Sequence, residues 1–150
     1  KENRKPFSVI IDEFADLAQE DFIGFLDRAR SSKMSIVVSH QEISDLTRVS
    51  PEFASRLTGN TSTLYAFLQK NPESADFISA VAGTRTVTKK TYQEESLFGF
   101  GVRTGGSSVR DTEEFIIHPN VVKKLRVGEC VVVKKYPEAD AYVVKVESGS

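Results

Sequence analysis

One cysteine, Cys130, stands in the whole sequence. It has no partner for an internal disulfide, and no CxxC pair or Cys/His cluster at metal-ligand spacing exists, so a disulfide scaffold and a structural zinc site are both excluded. A reducing compartment is the simplest setting. Net charge is nearly lacking as well, with 20 Lys and Arg against 21 Asp and Glu. No overall positive field announces nucleic acid and no acidic excess suggests a basic partner, so any contact with DNA has to be local. Long apolar runs are missing: none approaches the roughly 20 residues a membrane-crossing helix needs. The opening "KENRKP" leads into no apolar signal-peptide core. Internal repeats and heptad arrays are absent. So is the G-x-x-x-x-G-K-[ST] loop whose backbone amides cradle nucleotide phosphates; the nearest stretch, Gly101 to Gly106, runs into Ser107 and Ser108.

What is present is the composition of a soluble globular domain, 150 residues with 39% hydrophobic and 27% charged content, enough for one sizeable core. The start at Lys1 without a methionine and the final "ESGS" suggest a piece excised from something larger. Residues 7 to 12, "FSVIID", are predicted as a fully buried strand, because a short β-branched run without alternation suits a parallel sheet covered on both faces. Phe22, Leu26 and Ala29, with Phe25 beside them, recur at helical spacing, and residues 34 to 39, "MSIVVS", form a second buried strand. Strand, helix, strand is a βαβ unit that brings both strand C-termini to one sheet edge. Ser50 and Pro51 provide an N-cap and first position for a helix ending near Thr58, and residues 62 to 68, "STLYAFL", are expected as a third strand. Asn71 and Pro72 open a helix that Gly83 closes after Ala82. "TRTVTKKTYQ" then reads as a polar strand, residues 94–108 as a flexible Gly/Ser-rich loop or hairpin tip, "HPNVVKKL" as a helix, and "ECVVVKKY" with "AYVVKV" as a closing hairpin.

The chemistry concentrates at the expected sheet edge, where residues just past a parallel strand face the ligand crevice. Asp12 and Glu13 follow four apolar residues there, the Walker B pattern: an Asp able to hold the water shell of Mg²⁺ on ATP phosphates, then a Glu able to polarise an attacking water. The same dipeptide also arises by chance, with Asp12 as a helix N-cap and Glu13 merely solvated. The second strand ends in "SHQ", and Gln41 is its first strongly polar amide. Arg30 sits eleven residues before Gln41, at the end of the intervening helix, where a guanidinium can serve a neighbouring subunit's phosphate or simply complement the helix dipole.

"VIIDEFADLA", "FLDRARSSKMSIVVSHQEISDL" and "LTGNTSTLYAFLQKNPESADFISAVAGTRT" together resemble the C-terminal part of the ATPase domain in TraD/TraG-type coupling proteins, the conjugative DNA-transfer ATPases of type IV secretion systems related to the TrwB, FtsK and HerA motors. The resemblance is continuous over about residues 6 to 90, weakens through the glycine-rich stretch, and returns in "EEFIIHPNVVKKLRVGECVVV". It implies an α/β, RecA-like P-loop NTPase fold, a parallel sheet flanked by helices, here a partial domain over 1–150 lacking the Walker A half and closed by a C-terminal β-hairpin. It further implies Asp12 as the Mg²⁺-side acid, Glu13 as the catalytic Glu, Gln41 as the γ-phosphate-contacting Gln and Arg30 as the arginine finger. ATP and Mg²⁺ are the implied cofactors. The implied parent is a membrane-anchored homohexamer on the cytoplasmic side of the bacterial inner membrane that moves single-stranded DNA and relaxase toward the secretion channel. Walker A, the membrane segments and the helical insertion that precede Walker B in the family have no counterpart here, so the chain alone is expected to be inactive.

Three rival readings remain at this stage: another HerA- or FtsK-like ring translocase, a noncatalytic module docking relaxosome or accessory proteins, and a freestanding α/β protein in which the Asp12-Glu13 pair is a chance helix start. The glycines of "GFGVRTGG" can form an anion nest, and the pairs Lys89-Lys90, Lys123-Lys124 and Lys134-Lys135 can neutralise phosphates, but a hairpin tip and solvated faces explain both without a ligand. Cys130 is expected in the core, and His118 has no partner at catalytic spacing.

Overall fold

In the computed structural model, which describes residues 5–97 and 100–147, β1 (Phe7–Ile11) and β2 (Met34–Val38) pair in parallel, with Phe7 opposite Met34 and Ile11 opposite Val38. A 3-10 turn at Phe14–Asp16 and helix α1 (Asp21–Ser31) form the crossover, so the βαβ unit expected from the sequence is what folds. Its covering is different from expectation. Ile11 and Val38 pack toward the helices, whereas Ile10 is 76% and Val37 51% exposed. β-strand side chains alternate faces, and the helices cover only one of them; the prediction of a strand buried on both sides is corrected to a half-buried pair.

Beyond β2 come α2 (Ile43–Thr47), a short helix the apolar periodicity did not announce, and α3 (Pro51–Asn60). Ser50 caps α3 as expected, its hydroxyl accepting from the Phe53 amide at 2.9 Å, with Pro51 at the first position. α1, α2 and α3 enclose the first core, built on Phe14, Ile23, Ile43, Leu46, Phe53 and Leu57. The Phe14 ring lies 4.5 Å from Phe22 and 6.3 Å from Phe53, so one aromatic row joins the turn after β1 to two helices.

The third strand, β3 (Thr63–Ala66), does not extend the parallel pair. It pairs antiparallel with β6 (Glu129–Lys134), which pairs antiparallel with β7 (Asp140–Lys145), the predicted closing hairpin. The reason lies in face matching: Leu64 and Ala66 fall on the same side as Val131 and Val133, and these join Ala75, Ile78 and Val122 in a second core. Helix α4 (Pro72–Ala82) covers that core, with Asn71 Oδ1 accepting from the Glu73 amide and Gly83 at its C-cap at φ 84°, a conformation that favours glycine. Helix α5 (Pro119–Val122) is capped by His118, whose Nδ1 accepts from the Asn120 amide at 3.1 Å; the histidine left without a role is structural. Cys130 is fully buried, as expected, and burial raises its thiol pKa.

Strands β4 (Thr84–Leu97) and β5 (Phe100–Phe115) form a separate two-stranded ribbon, paired from Thr84↔Phe115 outward to Leu97↔Phe100. Of the two readings of 94–108, the backbone takes the hairpin; residues 98 and 99 lie outside the described residues. Among the described residues no helix is long and apolar enough to cross a membrane.

Phe53 is wholly buried in the first core and stacked on Phe14. Phe53→Ala is expected to cost about 3–5 kcal/mol of unfolding free energy, read as a lower urea midpoint, and Ser50→Ala about 1 kcal/mol through loss of the cap.

Candidate functional site

Just beyond the parallel pair, the backbone ladder runs on. The Ser39 amide donates to Ile11 O at 3.0 Å and the Phe14 amide donates to Ser39 O at 2.7 Å, so Asp12 and Glu13 are held between two strand-like hydrogen bonds. With Phe14 anchored in the core, the two residues must turn the chain outward in very little length, and Glu13 takes the left-handed conformation, φ 47° and ψ 49°. For a non-glycine residue that costs on the order of 1 kcal/mol. Both carboxylates are exposed at the C-terminal edge of β1.

Asp12 is prepared chemically. Its Oδ1 accepts from the Ser39 hydroxyl and, at 3.0 Å, from the Glu13 amide. The Ser39 hydrogen bond first, and the Glu13 amide second, hold its carboxyl below the ordinary aspartate range. The sequence does not single out Ser39: a serine after a strand has too many ordinary uses, and only the register Ile11↔Val38 places it beside Asp12.

Gln41 lies on the same edge, two residues past Ser39, with its side chain exposed. Its loop is braced from both sides. The Gln41 and Glu42 amides donate to Asp45 Oδ2 at 3.1 and 2.9 Å, Asn71 Nδ2 donates to Glu42 Oε2 at 2.9 Å, and Gln69 Nε2 donates to Gln41 O at 3.2 Å. Glu42 and Asp45 form a reciprocal capping box on α2, a signal readable in the sequence as E-x-x-D. His40, next to Gln41, is engaged locally, its Nδ1 2.9 Å from Glu42 O.

Arg30 is not brought to this edge. It occupies the penultimate position of α1, which runs back to the start of β2, so its backbone sits at the opposite end of a strand about 17 Å long. The Arg30 side chain lies outside the described residues.

Asp12 and Glu13 thus offer exposed oxygen donors beside a hydroxyl. Among the described residues no group of three or more His, Cys, Asp or Glu converges on a metal-sized point. An oxygen-only set of one or two carboxylates fits a hard cation such as Mg²⁺, which keeps most of its waters, and does not fit zinc or a softer metal. A groove of about 520 Å³ between α2, α3 and α4, lined by Pro51, Ala54, Phe77, Glu73 and Lys135, includes none of Asp12, Glu13 or Gln41.

Two substitutions test this geometry. In Ser39→Ala the Asp12 carboxyl should titrate at higher pH than in the wild type, measured by carboxyl carbon NMR. Because the folded-state pKa is depressed, the stability that the hydrogen bond contributes is present above the ordinary aspartate range and fades as pH falls through the depressed value; Ser39→Ala should remove that slope. Glu13→Gly should leave thermal stability unchanged or raise it by no more than about 1 kcal/mol, since glycine accepts φ 47° but loses more chain entropy.

A family model described as the TraM recognition site of TraD and TraG matches residues 6–126. No curated protein sequence matches. Among solved structures, the bacterial conjugative coupling protein TrwBdeltaN70 superposes with a TM-score of 0.77 at 18% identity, over 98% of this chain and 33% of that one. Plasmid coupling protein TrwB in complex with ADP and Mg²⁺ gives 0.75 at 18% identity over 99% and 32%, and the same protein with the non-hydrolysable ATP analogue ADPNP gives 0.73 at 18% over 98% and 32%. The likeness establishes the α/β, RecA-like fold expected above; the chain spans about a third of the length of these structures.

Proposed function

The chain belongs to the TraD and TraG coupling-protein family, and on that premise we propose that it is the Walker B portion of a conjugative DNA-transfer ATPase. The observation that carries the reading is the exposed pair Asp12–Glu13 at the C-terminal edge of β1, with Ser39 bonded to Asp12 and holding that carboxyl below the ordinary aspartate range. Structurally similar TrwB is known with ADP and Mg²⁺. In this reading the rest of the parent supplies the phosphate cradle, and bound ATP with Mg²⁺ supplies the scissile phosphoanhydride and its neutralising charge.

This chain's residues then divide the work. Asp12 is kept as carboxylate by Ser39 and holds the water shell of the ion. Glu13, pushed outward by its left-handed backbone, accepts a proton from the attacking water. Gln41, on a loop braced by Asp45, Asn71 and Gln69, contacts the γ-phosphate and passes its loss to α2 and α4 through those hydrogen bonds. The position of Arg30 at the far end of β2 supports a role across a subunit interface instead of in its own site. The parent is a membrane-anchored hexamer on the cytoplasmic side of the inner membrane, moving single-stranded DNA and relaxase into a type IV secretion channel. The exposed Ile10 and Val37 support further polypeptide lying over that sheet face in the whole protein.

A second reading, docking of a TraM-like relaxosome accessory protein without catalysis, is favoured by the description of the matching family model. Glu13→Gln in the full-length protein separates the two. The ATPase reading expects turnover to fall by about 10²-fold or more with ATP binding retained; unchanged turnover would sink it. Unchanged DNA transfer in the same variant would support docking.

A further inference from the structure

The β4–β5 ribbon is the part of the molecule that the ATPase reading leaves idle. Neither core contains any of its described side chains, and within 84–90 and 109–115 only Val87 and Glu114 are even half-buried. A two-stranded ribbon alone is marginal in water; a partner is what its composition calls for.

Its register sorts charge by face. Residues directly opposite in an antiparallel pair share a face, and faces alternate along each strand. Arg85 opposes Glu114 and Lys89 opposes Arg110, so three cations and one carboxylate lie on one face. Thr86 opposes Glu113 and Thr88 opposes Asp111, so the reverse face carries two carboxylates, each accepting from threonine hydroxyls: Thr88 Oγ1 to Asp111 at 2.8 Å, Thr86 Oγ1 to Glu113 at 3.1 Å. Lys90, opposite Val109, is the only cation on that face between these limits.

The basic face is internally strained. Lys89 and Arg110 are like charges directly across the ladder, which destabilises an isolated pair. The one ion pair there, Lys89 Nζ to Glu114 Oε1 at 2.6 Å, leaves Arg85 and Arg110 without a salt-bridge partner within the described residues. Anions brought to this face would relieve the repulsion, and the molecule presents two carboxylates, Asp111 and Glu113, on the reverse side of the same ribbon.

We propose that the ribbon is a self-association surface, the Arg85/Lys89/Arg110 face of one copy seating on the Asp111/Glu113 face of the next. The contact joins unlike patches, so it propagates head to tail and can close into a ring. It deepens the ring assembly proposed above, on which it rests. A nucleic acid is the poorer occupant: the ribbon base holds four cations against three carboxylates, and a strand lying on one face would sit close above the acidic reverse.

The test is a charge exchange followed by sedimentation velocity on the 150-residue chain, without nucleotide. The triple variant Arg85→Glu/Lys89→Glu/Arg110→Glu and the double variant Asp111→Lys/Glu113→Lys should each associate about tenfold or more weakly than the wild type. Mixing the two variants should restore association, as should all five changes in one chain, and wild-type association should weaken with salt. Restoration also excludes misfolding as the cause of the single-face losses. A wild type that stays monomeric at every concentration, variants that associate like the wild type, or mixtures that fail to recover would overturn the proposal. Loss of single-stranded oligonucleotide retention in the triple variant with association unchanged would overturn it in favour of nucleic acid. Glu13→Gln reads hydrolysis and this experiment reads association, so either reading can fail alone.

Discussion

The position of everything at the sheet edge depends on the burial of one ring. Phe14 is fully enclosed between Phe22 and Phe53, and its amide donates to Ser39 O. That single anchor fixes where the chain must be three residues after β1 ends. Asp12 and Glu13 have no freedom left: the ladder holds one end, the core holds the other, and the excess path length is absorbed by the left-handed backbone at Glu13. The acids project because the phenylalanine does not.

A second constraint is the separation of the two cores. The first gathers α1, α2 and α3 under the parallel pair, and the second gathers α4 and α5 under the antiparallel sheet. Phe77 of α4 packs against the first core, and polar bridges run beside it: Ser74 Oγ accepts from the Ile43 amide at 3.2 Å, Asn71 reaches Glu42, Gln69 reaches Gln41, and Lys135 Nζ donates to Thr58 O. Two of these four meet the loop that carries Gln41, and a third meets the first residue of α2 just after it. Hydrogen bonds break and re-form at lower cost than a packed core rearranges. A change felt at Gln41 therefore has a ready route into the second half of the molecule.

Elements whose signals are local were legible in the sequence. Ser50-Pro51 and Asn71-Pro72 start helices because capping chemistry involves only neighbours, and Gly83 ends one because its φ is positive. The acids past β1 were legible for the same reason. What depends on distant residues was not. β3 looks like any short strand, and nothing within "STLYAFL" says that its partner lies some 70 residues away in "ECVVVKKY". Ser39 gains meaning only through strand register, and the bareness of Ile10 and Val37 reflects which helices reach over the sheet. α2 was hidden by its brevity, although its capping box was in view. Arg30 lies on the helix its spacing suggests, and the antiparallel run of that helix against two parallel strands, which returns its C-terminal end to the start of β2, is what separates it from Gln41.

The left-handed backbone at Glu13 also bears on how such a chain changes over generations. A glutamate at φ 47° is held against local preference, where glycine, asparagine or aspartate would sit more easily. Folding exerts no pull toward glutamate at this position. In a lineage released from hydrolysis, residue 13 should be among the first of the edge residues to drift, and toward small or amide side chains, while Phe14 stays. The dipeptide then becomes a record: a glutamate still standing before an unmoved phenylalanine marks a chain in which the chemistry is in use.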